Sequence, residues 1–121
     1  MREISAAVIN AAGEPTSIET LRLDDPRPGE VLVRMTSAGA CHSDLHVRDG
    51  HWKRPGPIVM GHEGAGIVEA VGPGLDPGVV GQAVALTWYA PCLHCRECQR
   101  GRQWLCSGSP SLRHAQADGT T

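Results

Sequence analysis

Apolar and polar residues alternate at the start of the chain. Ile4, Ala6 and Val8 fall on one face of an extended segment, the period-2 pattern of a half-buried strand. Gly13-Glu14-Pro15 makes a turn, and the run IETLRL at 18–23 alternates again. Pro26-Arg27-Pro28-Gly29 is a second turn, and EVLVRMT at 30–36 reads as a third strand. At 43–48 the alternation stops. SDLHVR predicts a short helix ending near Gly50, with Ser43 or Asp44 as its cap. Arg54-Pro55-Gly56-Pro57 breaks the chain. The run GHEGAG at 61–66 then leads into a strand at 67–72, and a Gly/Pro loop at 73–81 precedes a short strand at 83–86. A cysteine-rich lobe follows at about 90–107. The tail, 107–121, is polar and lacks periodicity. Short strands separated by turn chemistry predict a mainly β fold, an antiparallel barrel or sandwich with short helices.

Composition changes this picture in one respect. The 121 residues suit about one domain, but Phe is absent and only three Trp and one Tyr are present. Aliphatic side chains and alanine therefore have to fill the core. A net charge of −2 and the lack of a basic stripe argue against nucleic acid as a partner. The N-terminal segment has no apolar stretch of the signal-peptide kind, and no apolar run approaches the ~18 residues of a membrane span. No membrane partner is expected, and the thiol-rich sequence fits a reducing cytoplasm.

The densest chemistry lies in PCLHCRECQRGRQWLC. Cys92, Cys95, Cys98 and Cys106 are spaced C-x2-C-x2-C-x7-C. Four thiolates on one loop suit a closed tetrahedral zinc site, which stabilises a fold and does no chemistry itself. Two disulfides are the competing reading, disfavoured by the close packing of sulfurs and the absent secretory signal. An iron–sulfur cluster is another, but its ferredoxin spacing ends in C-x3-C-Pro.

A second constellation is weaker by spacing alone. Cys41 is followed by His42, Ser43, Asp44 and His46; His62 and Glu63 come about twenty residues on. A Cys and a His from two segments can ligate a catalytic zinc, but a buried thiol and an ordinary imidazole read the same way. Asp44 can fix the tautomer of a ligating His, and Ser43 and His46 can pass a proton to solvent. Each also has a plain role, Ser43 as helix cap, Asp44 as first-turn acid, His46 as a surface histidine.

Taken in order, GACHSDLHVRDGHW, MGHEGAGIVEAVGPG and PCLHCRECQRGRQWLC resemble the N-terminal part of the catalytic domain of zinc-dependent alcohol dehydrogenases of the medium-chain dehydrogenase/reductase superfamily. That resemblance implies a GroES-like, partly open β-barrel over 1–121, incomplete and with a zinc lobe. It implies that Cys41 and His62 hold catalytic zinc with Glu63 beside them, that Asp44 supports His62, and that Ser43 and His46 form the proton relay. It places His42 at the pyrophosphate of NAD or NADP, Trp52 and Trp88 in the substrate pocket, and the four clustered cysteines around structural zinc. The implied substrate is a small alcohol, or its aldehyde or ketone, and the implied whole protein is a homo-oligomer, a dimer or tetramer.

Two departures matter. A third catalytic-zinc cysteine and the Rossmann cofactor domain, both downstream in the family, are absent from these residues. The run at 61–66 enters a strand instead of following one, so it fails the dinucleotide-binding pattern. Gln82 also stands where the family usually has Asp. The expectation is therefore the zinc-binding portion of an enzyme, inactive by itself. The alternative is a non-catalytic GroES-like zinc module for assembly, which has no physical need for Cys41, Ser43, His46, His62 and Glu63 together. A thiol redox protein would place its C-x2-C in a βαβ setting, which is missing.

Overall fold

The computed structural model describes residues 1–52, 56–87 and 91–108. They form two three-stranded antiparallel sheets. The first has β1 (Arg2–Ile9) at its centre, flanked by β2 (Ser17–Leu23) and the two-residue β4 (Ile58–Val59). The second has β5 (Gly64–Val71) at its centre, between β3 (Val31–Ala38) and β6 (Ala83–Ala85). The helices are short, α1 (His42–Arg48) and α2 (Arg96–Gln99), with 3-10 turns at Pro77–Val79 and Gln103–Leu105. The mainly β expectation holds.

The alternation in β1 gives way at its end, where Val8 and Ile9 are both buried. There the strand pairs with β4 as well, Val8 opposite Val59 and Ile9 opposite Ile58. Leu32 and Val68 supply the buried aliphatic residues of the second sheet. In β2 the register turns Ile18 outward with Thr20 and Arg22, leaving it 73% exposed. The turn, not the apolar pattern, sets that register.

The glycine run at 61–66 was expected as an approach to a strand, but β5 begins at Gly64. Gly66 sits so close to β3 that a Cβ would come within 2.3 Å of the Arg34 carbonyl oxygen. β3 carries register shifts between Leu32 and Val33 and between Met35 and Ser37, and glycine tolerates the approach these bulges create. On the outer face, Glu69 of β5 accepts from Arg2 Nη1 of β1 at 2.9 Å and pairs with Arg34 Nε of β3 at 3.0 Å. This carboxylate ties the two sheets together, although partial exposure limits its contribution. No described helix is long and apolar enough to cross a membrane.

Candidate metal centres

The strand pairing explains how residues twenty positions apart converge. β3 and β5 run antiparallel with Ala38 opposite Gly64. The residues just past β3 therefore lie beside those just before β5. The Gly39 amide donates to the Glu63 carbonyl at 3.1 Å, which extends the ladder past the strand ends. Cys41 then starts α1 as its N-cap, and His62 and Glu63 lead into β5.

The ligand atoms of Cys41, His62 and Glu63 all lie within 4.8 Å of one another. The Cys41 thiol accepts from Ser43 Oγ at 3.1 Å, and Ser43 Oγ also lies 3.3 Å from His62 Nε2. On the other side of the ring, His62 Nδ1 faces Asp44 Oδ1 at 3.2 Å. Asp44 Oδ2 accepts the Cys41 backbone amide at 3.1 Å. The cap is Cys41 and not Ser43 or Asp44 as expected; Asp44, at the third helical position, closes a capping box on the Cys41 amide, while the Ser43 hydroxyl turns into the site.

These contacts set the charge states. The Ser43 hydroxyl, then its backbone amide and then His62, hold the Cys41 pKa below its ordinary value, against burial and the Glu63 charge. For His62, burial opposes the charged ring, yet the Cys41 hydrogen bond and the Asp44 charge raise its pKa overall. With Nδ1 engaged by Asp44, Nε2 points toward the thiol. A thiolate, an imidazole nitrogen and a carboxylate oxygen at this separation are donors that zinc accepts.

Gly39 was not legible as part of this site. A Cβ there would sit 2.3 Å from Glu63 Oε2 and 2.9 Å from Glu63 Cβ. Only a glycine leaves Glu63 room to face Cys41 and His62.

Of the remaining predicted site residues, His46, His42 and Trp52 fall nearby but not within the cluster. His46 forms no hydrogen bond with Ser43; its Nδ1 instead lies 3.1 Å from His51 Nδ1. His42 is exposed and stands edge-on to His46, with ring centroids 4.9 Å apart. Trp52 is 48% exposed and its indole lies 5.3 Å from the His46 ring. Trp88 lies outside the described residues.

The second centre is local. Cys92, Cys95, Cys98 and Cys106 bring their sulfurs within 4.8 Å of one another. Cys95 caps α2, Cys98 lies inside it and Cys106 follows the 3-10 turn at Gln103–Leu105. The Cys95 amide donates to Cys92 Sγ at 3.3 Å, and the Cys92 amide donates to Cys106 Sγ at 3.2 Å. Cys95 and Cys106 sulfurs are 4.0 Å apart. That is close to the roughly 3.8 Å between sulfurs on one tetrahedral zinc, and twice a disulfide bond. The Cys98 backbone amide holds the Cys95 thiol down to about 6, whereas burial pushes Cys98 up to about 12. Held as thiolates, four sulfurs this close would repel one another, and a divalent cation would relieve the repulsion. The donor set fits zinc.

The sequence profile of the alcohol dehydrogenase GroES-like domain matches residues 27–120. An NDMA-dependent alcohol dehydrogenase of Amycolatopsis methanolica is 47% identical over 116 residues, 95% of this chain and 31% of that protein. Among solved structures, an alcohol dehydrogenase zinc-binding domain protein from Burkholderia ambifaria is 48% identical, with a TM-score of 0.86 over 99% of this chain and 33% of its own. A cobalt- and zinc-bound thermostable alcohol dehydrogenase from Pyrobaculum aerophilum is 34% identical, with a TM-score of 0.81 over 91% of this chain and 34% of its own. The chain thus spans about a third of the length of the proteins it matches. With its two antiparallel sheets and short helices, the chain belongs to the alcohol dehydrogenase GroES-like domain family.

Proposed function

We propose that this chain is the metal-bearing catalytic portion of a zinc-dependent alcohol dehydrogenase that interconverts small alcohols with aldehydes or ketones, using NAD or NADP. The observation that carries the reading is the position of Ser43. Its hydroxyl lies within hydrogen-bond reach of both Cys41 Sγ and His62 Nε2. A protein that used this metal only for stability would have no need of a proton-transferring hydroxyl at its ligands.

Cys41, His62 and Glu63 would hold the catalytic zinc, which when bound supplies Lewis acidity to a substrate oxygen. Glu63 stands as third ligand among these residues, where the family uses a further cysteine. Asp44 fixes the His62 ring with Nε2 toward the site. Ser43 accepts the hydroxyl proton, and His46, half-exposed on the same helix, gives it to solvent. His42 meets the cofactor pyrophosphate, and Trp52 and Trp88 narrow the alcohol pocket. Cys92, Cys95, Cys98 and Cys106 hold structural zinc in a lobe spanning about 90–107.

Hydride transfer also needs a dinucleotide held about 3–3.5 Å from the alcohol carbon. Among the described residues no strand–glycine turn–helix unit is present to hold it, so turnover is expected only from a longer chain. The whole enzyme is then a cytoplasmic homo-oligomer. The test is NADH formation from ethanol or benzyl alcohol by a chain extended to the relatives' length. Cys41→Ser and His62→Ala should abolish it, and Ser43→Ala should lower it with zinc retained. Turnover unchanged by Cys41→Ser would refute the reading, as would oxidation by residues 1–121 alone above that variant.

A further inference from the structure

Outside both metal centres, α1 gathers a third group of ligating side chains. His42 and His46 are one turn apart on the helix, so they share a face. After the helix ends, the Trp52 amide donates to the His46 carbonyl at 3.0 Å and brings His51 back over that face. The His46 and His51 rings are 5.4 Å apart, with their Nδ1 atoms at 3.1 Å. His51 and His42 are exposed and His46 is half-exposed.

We propose that His46 and His51 form a third metal site, a surface chelate for a divalent cation that prefers imidazole, such as Ni²⁺, Cu²⁺ or Zn²⁺. Two nitrogens 3.1 Å apart have the separation of adjacent ligands on one ion. At metal–nitrogen distances of about 2.0–2.1 Å they subtend about 100°, between the square-planar and tetrahedral values. One ring now has to donate its Nδ1 proton to the other. The ion takes the place of that shared proton, which moves through solvent to Nε2 of the same ring, so both rings bind as neutral imidazoles. The open face admits water to the remaining coordination positions, and His42 is the nearest further imidazole. Asp49 places a negative charge beside the pair; Arg48 first, then the charges of His51 and His46, hold its carboxyl below its ordinary range. If the proton relay runs through His46, as proposed above, an ion held here removes that imidazole from it. Binding itself does not depend on that reading.

The test uses the untagged 121-residue chain with zinc in its four-cysteine lobe and a second equivalent at the Cys41 site, titrated with Ni²⁺. Histidine ring signals in ¹H–¹⁵N spectra should broaden first for His46 and His51. Those of His94, an exposed histidine bonded to the Cys92 carbonyl, should follow only at excess metal. By calorimetry, His51→Gln should lower Ni²⁺ affinity at least tenfold, and His94→Gln should leave it unchanged. Both positions are exposed, so equal melting temperatures of the variants check that the fold is intact. A loss under tenfold in His51→Gln overturns the proposal. So does parallel broadening of His94, or binding that broadens His62 first and ignores the His51 change.

Discussion

Asp44 holds two parts of the Cys41–His62–Glu63 cluster at once, and its removal should reveal both. One carboxylate oxygen accepts the Cys41 amide at 3.1 Å and the other faces His62 Nδ1 at 3.2 Å. In Asp44→Ala the first loss leaves the start of α1 without its side-chain acceptor, a cost of about 1 kcal/mol. The second releases the His62 ring, with side chains 31% and 22% exposed, so solvent limits that loss to about 1 kcal/mol or less. Together they amount to about 1–2 kcal/mol, roughly 3–8 °C in melting temperature for a domain of this size. The effect on metal should be larger in proportion. A freed imidazole must be reoriented at each binding event, and loss of such a carboxylate partner lowers affinity about 10–100-fold. The assay is a cobalt titration of the chain whose four-cysteine lobe already holds zinc, read by thiolate-to-cobalt absorption at Cys41. The lobe itself should be unaffected. An Asp44→Ala chain that binds the second equivalent within twofold of the parent would show that Asp44 neither orients His62 nor supports Cys41.

Four further outcomes are expected. Cys98→Ser should remove one zinc equivalent by metal analysis and expose 92–106 to proteolysis, because Cys98 is the buried member of the tetrad and metal binding there is folding free energy. Gly39→Ala should displace Glu63, whose Cβ and Oε2 a new methyl would meet at 2.9 and 2.3 Å, and weaken cobalt at the second site while the lobe keeps its zinc. In the metal-free chain, His62 has a pKa raised above its ordinary 6.5, so its contribution to stability is full below that value and disappears as pH rises through the folded one. Asp44→Asn should therefore destabilise more at pH 6 than at pH 8 in urea melts, and the reverse order would contradict the assignment. Gly66→Val should cost about 2–4 kcal/mol by forcing β3 and β5 apart at Arg34, and a chelator should then strip the Cys41 site well before the cysteine lobe.

Local pattern made most of the strands legible. β1, β2, β3 and β6 follow from alternation bounded by Gly/Pro turns, and α1 from its interruption. What pattern missed depended on partners. β4 is two residues long and exists only because the end of β1 offers it an edge. Residues 64–66 carry two glycines, which argue against a strand by propensity, yet the closeness of β3 makes glycine the residue that fits. Ile18 looks like a core residue by type and faces solvent by register. In each case the deciding quantity is a distance to another strand, which no window of sequence contains.

The two candidate metal centres divide in the same way. The four cysteines lie within fifteen residues, and the bonds that shape their lobe, amide to sulfur and turn to turn, are internal to it. Spacing therefore carried nearly all the information about that centre. The Cys41 site has no such local definition. Its ligands meet because Ala38 pairs with Gly64, because Gly39 leaves space for Glu63, and because Asp44 spends its two oxygens on two different segments. Spacing alone reads Cys41 and His62 as an unrelated thiol and imidazole; only a resemblance across three motifs joined them. The same difference has a physical consequence. A centre defined by its own loop survives disturbance of the sheets, whereas one defined by strand register responds to every change in how β3 meets β5. The site proposed for the chemistry is thus the one whose metal geometry the rest of the fold can adjust.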